Sequence, residues 1–202
     1  MNYKYENTKF LTSALKVPLK YLNSWTEIAF FGYSNSGKSS SINALINRKN
    51  LARIGKTPGS TKTINFFQVS TNLKLVDFPG YGYSTIQKKI KNKLKLELTK
   101  YIKTNKNLKG LINIMDIRHP LKTFDLFFIK KACENNIPVL VLLNKSDKIA
   151  LNSQKIKILQ VKEKLSVKHN NIDIITFSAL KKTGIDYLKR KIYYWHQNRR
   201  KI

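Results

Sequence analysis

The feature that most constrains this 202-residue chain is the string Gly32-Tyr33-Ser34-Asn35-Ser36-Gly37-Lys38-Ser39, a complete GxxxxGKS. The apolar run Ile28-Ala29-Phe30-Phe31 precedes it, and a helical stretch, Lys38–Arg48, follows. A strand feeding a glycine-rich loop that opens a helix is the setting in which this pattern wraps phosphate. Its glycines let successive backbone N–H groups and the helix N-terminus converge on one anion. Lys38 adds a cation for β- and γ-phosphates, and Ser39 a hydroxyl for Mg²⁺. A chance glycine-rich loop would lack that context, so the chain is expected to build α/β layers around this corner.

The rest of the chain repeats the alternation. Short apolar runs at Glu27–Phe31, Asn65–Val69, Leu73–Val76, Leu111–Met115, Val139–Leu143 and Ile172–Thr176 read as strands. Helical stretches lie at Lys38–Arg48, Ile90–Thr104, Phe124–Asn135, Ser153–Lys168 and Ile185–Asn198. Strands apolar on both faces imply a buried, mainly parallel sheet. The close second and third strands, joined at Thr71-Asn72, imply a hairpin. The expected fold is a three-layer P-loop NTPase: a mostly parallel six-stranded sheet with one antiparallel edge strand and helices on both faces. Residues 1–24 are expected as a lead-in packed on the domain, 25–198 as the domain itself and 199–202 as a basic tail. Ligands in such folds bind beyond the carboxyl ends of the strands, and the remaining motifs fall there.

Asp77-Phe78-Pro79-Gly80 ends the run Leu73–Val76. Asp77 can hold Mg²⁺ through a water, and Gly80 can turn its N–H toward a γ-phosphate. Between this turn and the phosphate loop lies Lys56-Thr57-Pro58-Gly59-Ser60-Thr61-Lys62-Thr63. A threonine hydroxyl there would complete the Mg²⁺ shell in the triphosphate state and leave after hydrolysis. Thr61 is the first choice and Thr63 the alternative. Asn144-Lys145-Ser146-Asp147 follows Val139–Leu143. A carboxylate at Asp147 accepts the N1–H and 2-amino protons of guanine, a donor pair adenine lacks. Lys145 lays its stem along the purine and Asn144 braces the loop. Phe177-Ser178-Ala179, after the last run, offers N–H groups to the guanine O6. These motifs in this order select GTP, with Lys38, Thr61 and Gly80 as the residues carrying hydrolysis.

The motifs resemble those of the translation-factor-related GTPases. Asn65-Phe66-Phe67, Asp77-Phe78-Pro79-Gly80-Tyr81-Gly82-Tyr83 and Asp116-Ile117-Arg118-His119-Pro120-Leu121 are similar to the EngB (YihA/YsxC) family. The likeness runs from about Phe10 to the C-terminal helix. It implies a Mg²⁺-dependent GTPase acting in assembly of the large ribosomal subunit and associated with normal cell division and septation. Carried over by position, Gly32–Ser39 hold phosphates, Ser39 and Thr61 hold Mg²⁺, and Gly59–Thr63 form the first switch. Asp77–Gly80 form the second switch, and Asn144–Asp147 with Phe177–Ala179 hold guanine. The chain departs from the family pattern at Tyr33, Ser60 and Lys62, where Arg, Arg and Gln are usual, and at Asn144, where Thr is frequent.

Tyr81 stands where many small GTPases carry a water-orienting glutamine, which predicts a slow unassisted rate. A partner's cation, or K⁺ near Asn35, would supply the missing charge; a loop-stabilising side chain is the equal alternative for Asn35. Arg118 and His119 read as a structural turn or a partner contact. His169 and His196 lack ligand-like spacing and read as surface or helix-packing residues.

The chain carries 39 Lys and Arg against 11 Asp and Glu, a net +28, which favours polyanionic neighbours or reflects compositional drift in equal measure. Lys88, Lys89, Lys91, Lys93, Lys95 and the tail Arg199-Arg200-Lys201 are candidates for rRNA phosphates. Tyr193 and Tyr194 are candidates for base stacking, while Trp195 falls at core spacing. The competing class is a peripheral membrane or division-site GTP-binding protein without a ribosomal role. No stretch has the length of a signal peptide core or membrane span. One cysteine, Cys133, permits no internal disulfide and is expected to be buried. A cytoplasmic monomer with no integral membrane association is expected.

Overall fold

The computed structural model describes residues 3–14, 25–49, 51–52, 63–81, 88–166 and 171–198. Seven strands form one sheet: β1 (Lys9–Ala14), β2 (Thr26–Gly32), β3 (Ile64–Ser70), β4 (Leu73–Asp77), β5 (Leu108–Asp116), β6 (Val139–Asn144) and β7 (Ile172–Thr176). Their spatial order is β1-β3-β4-β2-β5-β6-β7. The β4, β2, β5, β6 and β7 neighbours pair in parallel, whereas β3 runs antiparallel to both β4 and β1.

The expected six strands are therefore seven, and the antiparallel strand is not at the edge. β1, expected as part of a lead-in, covers it. The strand's sequence, KFLTSA, lies mostly exposed, with Phe10 at 49% and Leu11 at 39% exposure, so it lacks the apolar run of a central strand. Phe10 still packs edge-on against Phe67, centroids 5.8 Å apart, and Ser13 donates to Asn65 Oδ1 at 2.7 Å.

Every residue of β2 is buried, as a strand covered on both faces requires. Its alternation sorts the core. Ala29 and Phe31 face α2 (Lys88–Thr104), α3 (Thr123–Glu134) and α4 (Leu151–Ser166) through Tyr101, Phe128 and Val161. Ile28 and Phe30 face α1 (Lys38–Ile46) and α5 (Ile185–Gln197) through Ile42, Leu45, Leu188 and Ile192. Glu27 points into the first of these layers, buried, where it accepts from Tyr101 Oη and Asn105 Nδ2 at 2.7 Å each. Burial pushes its carboxyl up despite those donors. Trp195, 4% exposed, belongs to the core, and only the missing side chain of Gly110 leaves room for its ring against β5. Cys133 is free and half-buried, short of the full burial expected. His196 is buried in α5, the helix-packing alternative.

Candidate functional site

Four strand ends converge on one corner. The turn after β2 climbs through Asn35 (φ 65°) and Gly37 (φ 92°) before α1 starts at Lys38. Gly37 is required twice, by its left-handed backbone and because a Cβ there would collide with the Asn144 amide. The turn after β4 runs alongside. Phe78 N–H donates to the Phe30 carbonyl at 3.0 Å, and Ser34 N–H to the Tyr81 carbonyl at 2.7 Å. Parallel bridging of Tyr33 with Tyr81 ties the two turns together.

Lys38, 8% exposed, forms an ion pair with the buried Asp77. Asp77 is opposite Asn65 in the β3–β4 register, and the Asn65 amide lies 3.5 Å from its second oxygen. Thr63 Oγ1 is 3.4 Å from Asn65 Oδ1. Ser39 follows in the first turn of α1, half-buried. A hydroxyl and a carboxylate are hard oxygen donors of the kind Mg²⁺ takes, so these residues fit that ion. The hydroxyls of Ser34 and Ser36 are buried without a hydrogen-bond partner. Gly59, Ser60, Thr61 and Lys62 lie outside the described residues.

At the other end of the corner, Asn144 locks three loops. Its Nδ2 donates to the Ser36 carbonyl at 2.8 Å, and its Oδ1 accepts from Ala179 N–H at 3.1 Å. Lys145, left-handed at φ 65°, reaches back to donate to the Asn35 carbonyl at 2.6 Å. Ser146 N–H donates to the Phe177 carbonyl at 3.1 Å. Ser178 Oγ donates to Asp147 Oδ1 at 2.5 Å and accepts from Lys181 N–H at 3.0 Å. The loop Asn144–Asp147, the turn Gly32–Ser39 and the turn at Phe177-Ser178-Ala179 are thus one bonded unit.

Two residues gain places that no motif assigned them. Asp116, opposite Asn144 in the β5–β6 register, lies 3.0 Å from Lys145 Nζ. Arg118 grips the same carboxylate, Nε to Oδ1 at 2.9 Å and Nη2 to Oδ2 at 2.6 Å. Partial burial pushes Asp116 up, but the bonds from Arg118 and Lys145 outweigh it and hold the carboxyl well below the usual carboxylate range. Arg118, read as a structural turn or a partner contact, lies in the turn after β5, and its side chain there braces the carboxylate that pairs with Lys145. The pairing of Asp116 with Lys145 carries no spacing signal, since Lys145 follows the neighbouring strand β6.

Tyr81 is buried at 1% exposure. Its hydroxyl donates to Asp125 Oδ1 at 2.5 Å, and its ring stacks on Phe124, centroids 5.5 Å apart. Asp125 also accepts from Lys122 N–H at 3.1 Å, closing the first turn of α3. Burial pushes both the Tyr81 phenol and the Asp125 carboxyl up, each against or with the bond they share. A side chain committed this way points into the core and not toward a phosphate.

Residues 27–145 match the family described as 50S ribosome-binding GTPase. A probable GTP-binding protein EngB from Buchnera aphidicola subsp. Schizaphis graminum is 47% identical over 196 residues, which cover 97% of this chain and 98% of that protein. The chain belongs to the EngB family of GTP-binding proteins. Probable EngB from Escherichia coli O9:H4 is 43% identical over 96% of this chain and 92% of its own. The crystal structure of a probable GTP-binding protein EngB superposes with a TM-score of 0.71 at 29% identity, covering 86% of this chain and all of that one. Translation elongation factor SelB from Methanococcus maripaludis, in complex with the GTP analogue GppNHp, shares the fold at TM-score 0.63 and 21% identity, covering 89% of this chain and 35% of its own. As an EngB-family protein the chain is a GTPase. Among the described residues no helix is long and apolar enough to cross a membrane.

Proposed function

We propose that this GTPase binds GTP with Mg²⁺ at the corner described above and hydrolyses it as a switch in assembly of the large ribosomal subunit, needed for normal cell division and septation. The observation that carries the nucleotide reading is the Asn144 lock, which fixes Asp147, Lys145 and the phosphate loop in one frame. Gly32–Ser39 take the phosphates, Asp147 and Lys145 take guanine with Ser146 in their loop, and Phe177–Ala179 close over O6. Asp77, Phe78, Pro79 and Gly80 form the turn that senses the γ-phosphate. Ser39 and Thr61 would hold Mg²⁺ directly and Asp77 through a water, a site that would supply positive charge against the β- and γ-phosphates.

The Lys38–Asp77 pair sets the first event. Lys38 exchanges Asp77 for phosphate oxygens, which frees the carboxylate for its water ligand. By family likeness Gly59, Ser60, Thr61, Lys62 and Thr63 are the first-switch positions. Tyr81 takes no part in orienting water, because it is anchored on Asp125. Extra charge comes from a partner or from K⁺ near Asn35, and turnover in KCl against NaCl separates them: equal rates in the two salts remove the K⁺ reading.

The ribosomal part rests on family membership and on the net +28 charge. Residues 25–198 form the working unit, with β1 extending its sheet and 199–202 as a basic tail. The Lys88, Lys89, Lys91 and Lys93 side chains and Arg199–Lys201 lie outside the described residues. Lys95 sits 3.9 Å above the Phe127 ring, so part of its charge is spent inside the molecule. Tyr194, 58% exposed, remains available for stacking. Cosedimentation with large subunits in GTPγS and in GDP, each over a salt series, tests the reading, with anionic liposomes as the parallel arm. Nucleotide-dependent binding to subunits that weakens steeply with salt is expected. Binding to liposomes alone would transfer the protein to the membrane class.

A further inference from the structure

Tyr81, which stands where many small GTPases carry a water-orienting glutamine, is turned into the core with its hydroxyl on Asp125. A side chain of the corner can supply a donor to the γ-phosphoryl group beside the charge that a partner or K⁺ brings. Two hydroxyls in the phosphate loop are buried without a hydrogen-bond partner, those of Ser34 and Ser36, and they lie against different glycines. Ser36 lies beneath the loop against Gly32, where a Cβ would come within 2.8 Å of its Oγ. Ser34 lies against Gly80: a Cβ there would be 3.1 Å from Ser34 Oγ and 3.3 Å from its Cα. The Ser34 N–H bond to the Tyr81 carbonyl at 2.7 Å fixes the backbone behind that hydroxyl. A buried hydroxyl with no acceptor costs free energy that a ligand oxygen would recover.

We propose that Ser34 is a catalytic residue of GTP hydrolysis, its hydroxyl donating a hydrogen bond to a γ-phosphoryl oxygen as charge develops there. The proposal rests on the GTP-hydrolysing reading of this corner. The bond from water to Pγ forms and the bond from Pγ to the bridging oxygen breaks, its electron pair leaving on GDP. The proton lost by the water ends on inorganic phosphate. Ser34 keeps its own proton throughout and acts as a preorganised donor, its hydroxyl already buried in place before the phosphate arrives.

Ser34→Ala, which removes only the oxygen, tests this with three readouts on the full chain. GDP affinity is expected to stay within about twofold of wild type, since a donor that acts on the γ-phosphoryl group contributes little to the diphosphate. Single-turnover GTP hydrolysis is expected to fall about 100-fold, and binding of GDP with aluminium fluoride, which mimics the transferring group, to weaken comparably. Hydrolysis and aluminium fluoride binding unchanged in the variant would overturn the proposal. So would a parallel loss of GDP affinity, which marks a structural role. A wild-type protein that hydrolyses no GTP would instead remove the reading beneath it.

Discussion

At the guanine end of the corner, Asn144, Lys145, Asp147 and Ser178 all bond to other protein groups, whereas at the phosphate end the hydroxyls of Ser34 and Ser36 are buried with none. The first end is already bonded in place, so a guanine bound there as proposed would need little reorganisation. The second end is tied by backbone bonds to the turn at Tyr81 and by the Lys38–Asp77 ion pair, whose two residues both have other work when phosphate binds. This contrast teaches where ligand energy goes: little is needed to shape the base site, and most is available to rearrange the phosphate loop and the turn beside it. A ligand that binds only the folded state should accordingly raise its apparent stability.

The largest effect is expected at the reader. Asp147→Asn removes the acceptor for two guanine protons, and GTP affinity should fall about 1,000-fold by titration calorimetry. Retained affinity would mean that the base is read elsewhere. At the phosphate end, Lys38→Met leaves Asp77 buried without its cation, a change that costs about 3–5 kcal/mol in ligand-free protein. Thermal unfolding should show this as a drop of roughly 10 °C. An unchanged midpoint would show that the pair does not hold that end together.

Tyr81→Phe sharpens the comparison between anchor and catalyst. Loss of the phenol leaves one oxygen of Asp125 unpaired and should lower stability by about 1–3 kcal/mol in urea unfolding. Single-turnover hydrolysis should stay within about twofold of wild type, because a side chain aimed into the core has no transition-state contact to lose. A large rate loss would place Tyr81 at the chemistry.

Asp116→Asn loosens the anchor of Lys145 and should weaken GTP and GDP alike by about tenfold, the effect of one charge-assisted bond. The smallest effect is expected from pH. Asp116 is depressed in the folded state, so its contribution is fully present above its unfolded value and is lost only as pH falls through the lower folded one. Between about pH 5 and 8, nucleotide affinity should show no step that Asp116→Asn removes. Such a step would mean that Asp116 titrates near neutrality and does not hold Lys145 as a standing ion pair.

Much of this was legible because the motifs are local. Gly32–Ser39, Asp77–Gly80 and Asn144–Asp147 each sit at the end of an apolar run, and the pattern of β2, β5 and β6 announces buried strands. β1 was hidden because an edge strand buries little, and KFLTSA reads as a mixed lead-in until Phe67 and Asn65 are seen beneath it. The link from Asp116 to Lys145 was hidden because it is lateral. Sheet register, which brings Asp116 beside Asn144, is set by tertiary pairing and not by spacing along the chain. Tyr81 was read correctly as an absent glutamine, but its tie to Asp125 depends on how α3 packs.

The central claim is a guanine-specific nucleotide site framed by Asn144. Titration calorimetry of the wild-type protein with GTP and then ATP, in Mg²⁺, tests it most directly. Tight GTP binding with ATP at least about 1,000-fold weaker is the predicted result, because adenine cannot satisfy Asp147. Equal affinity for the two nucleotides would contradict it.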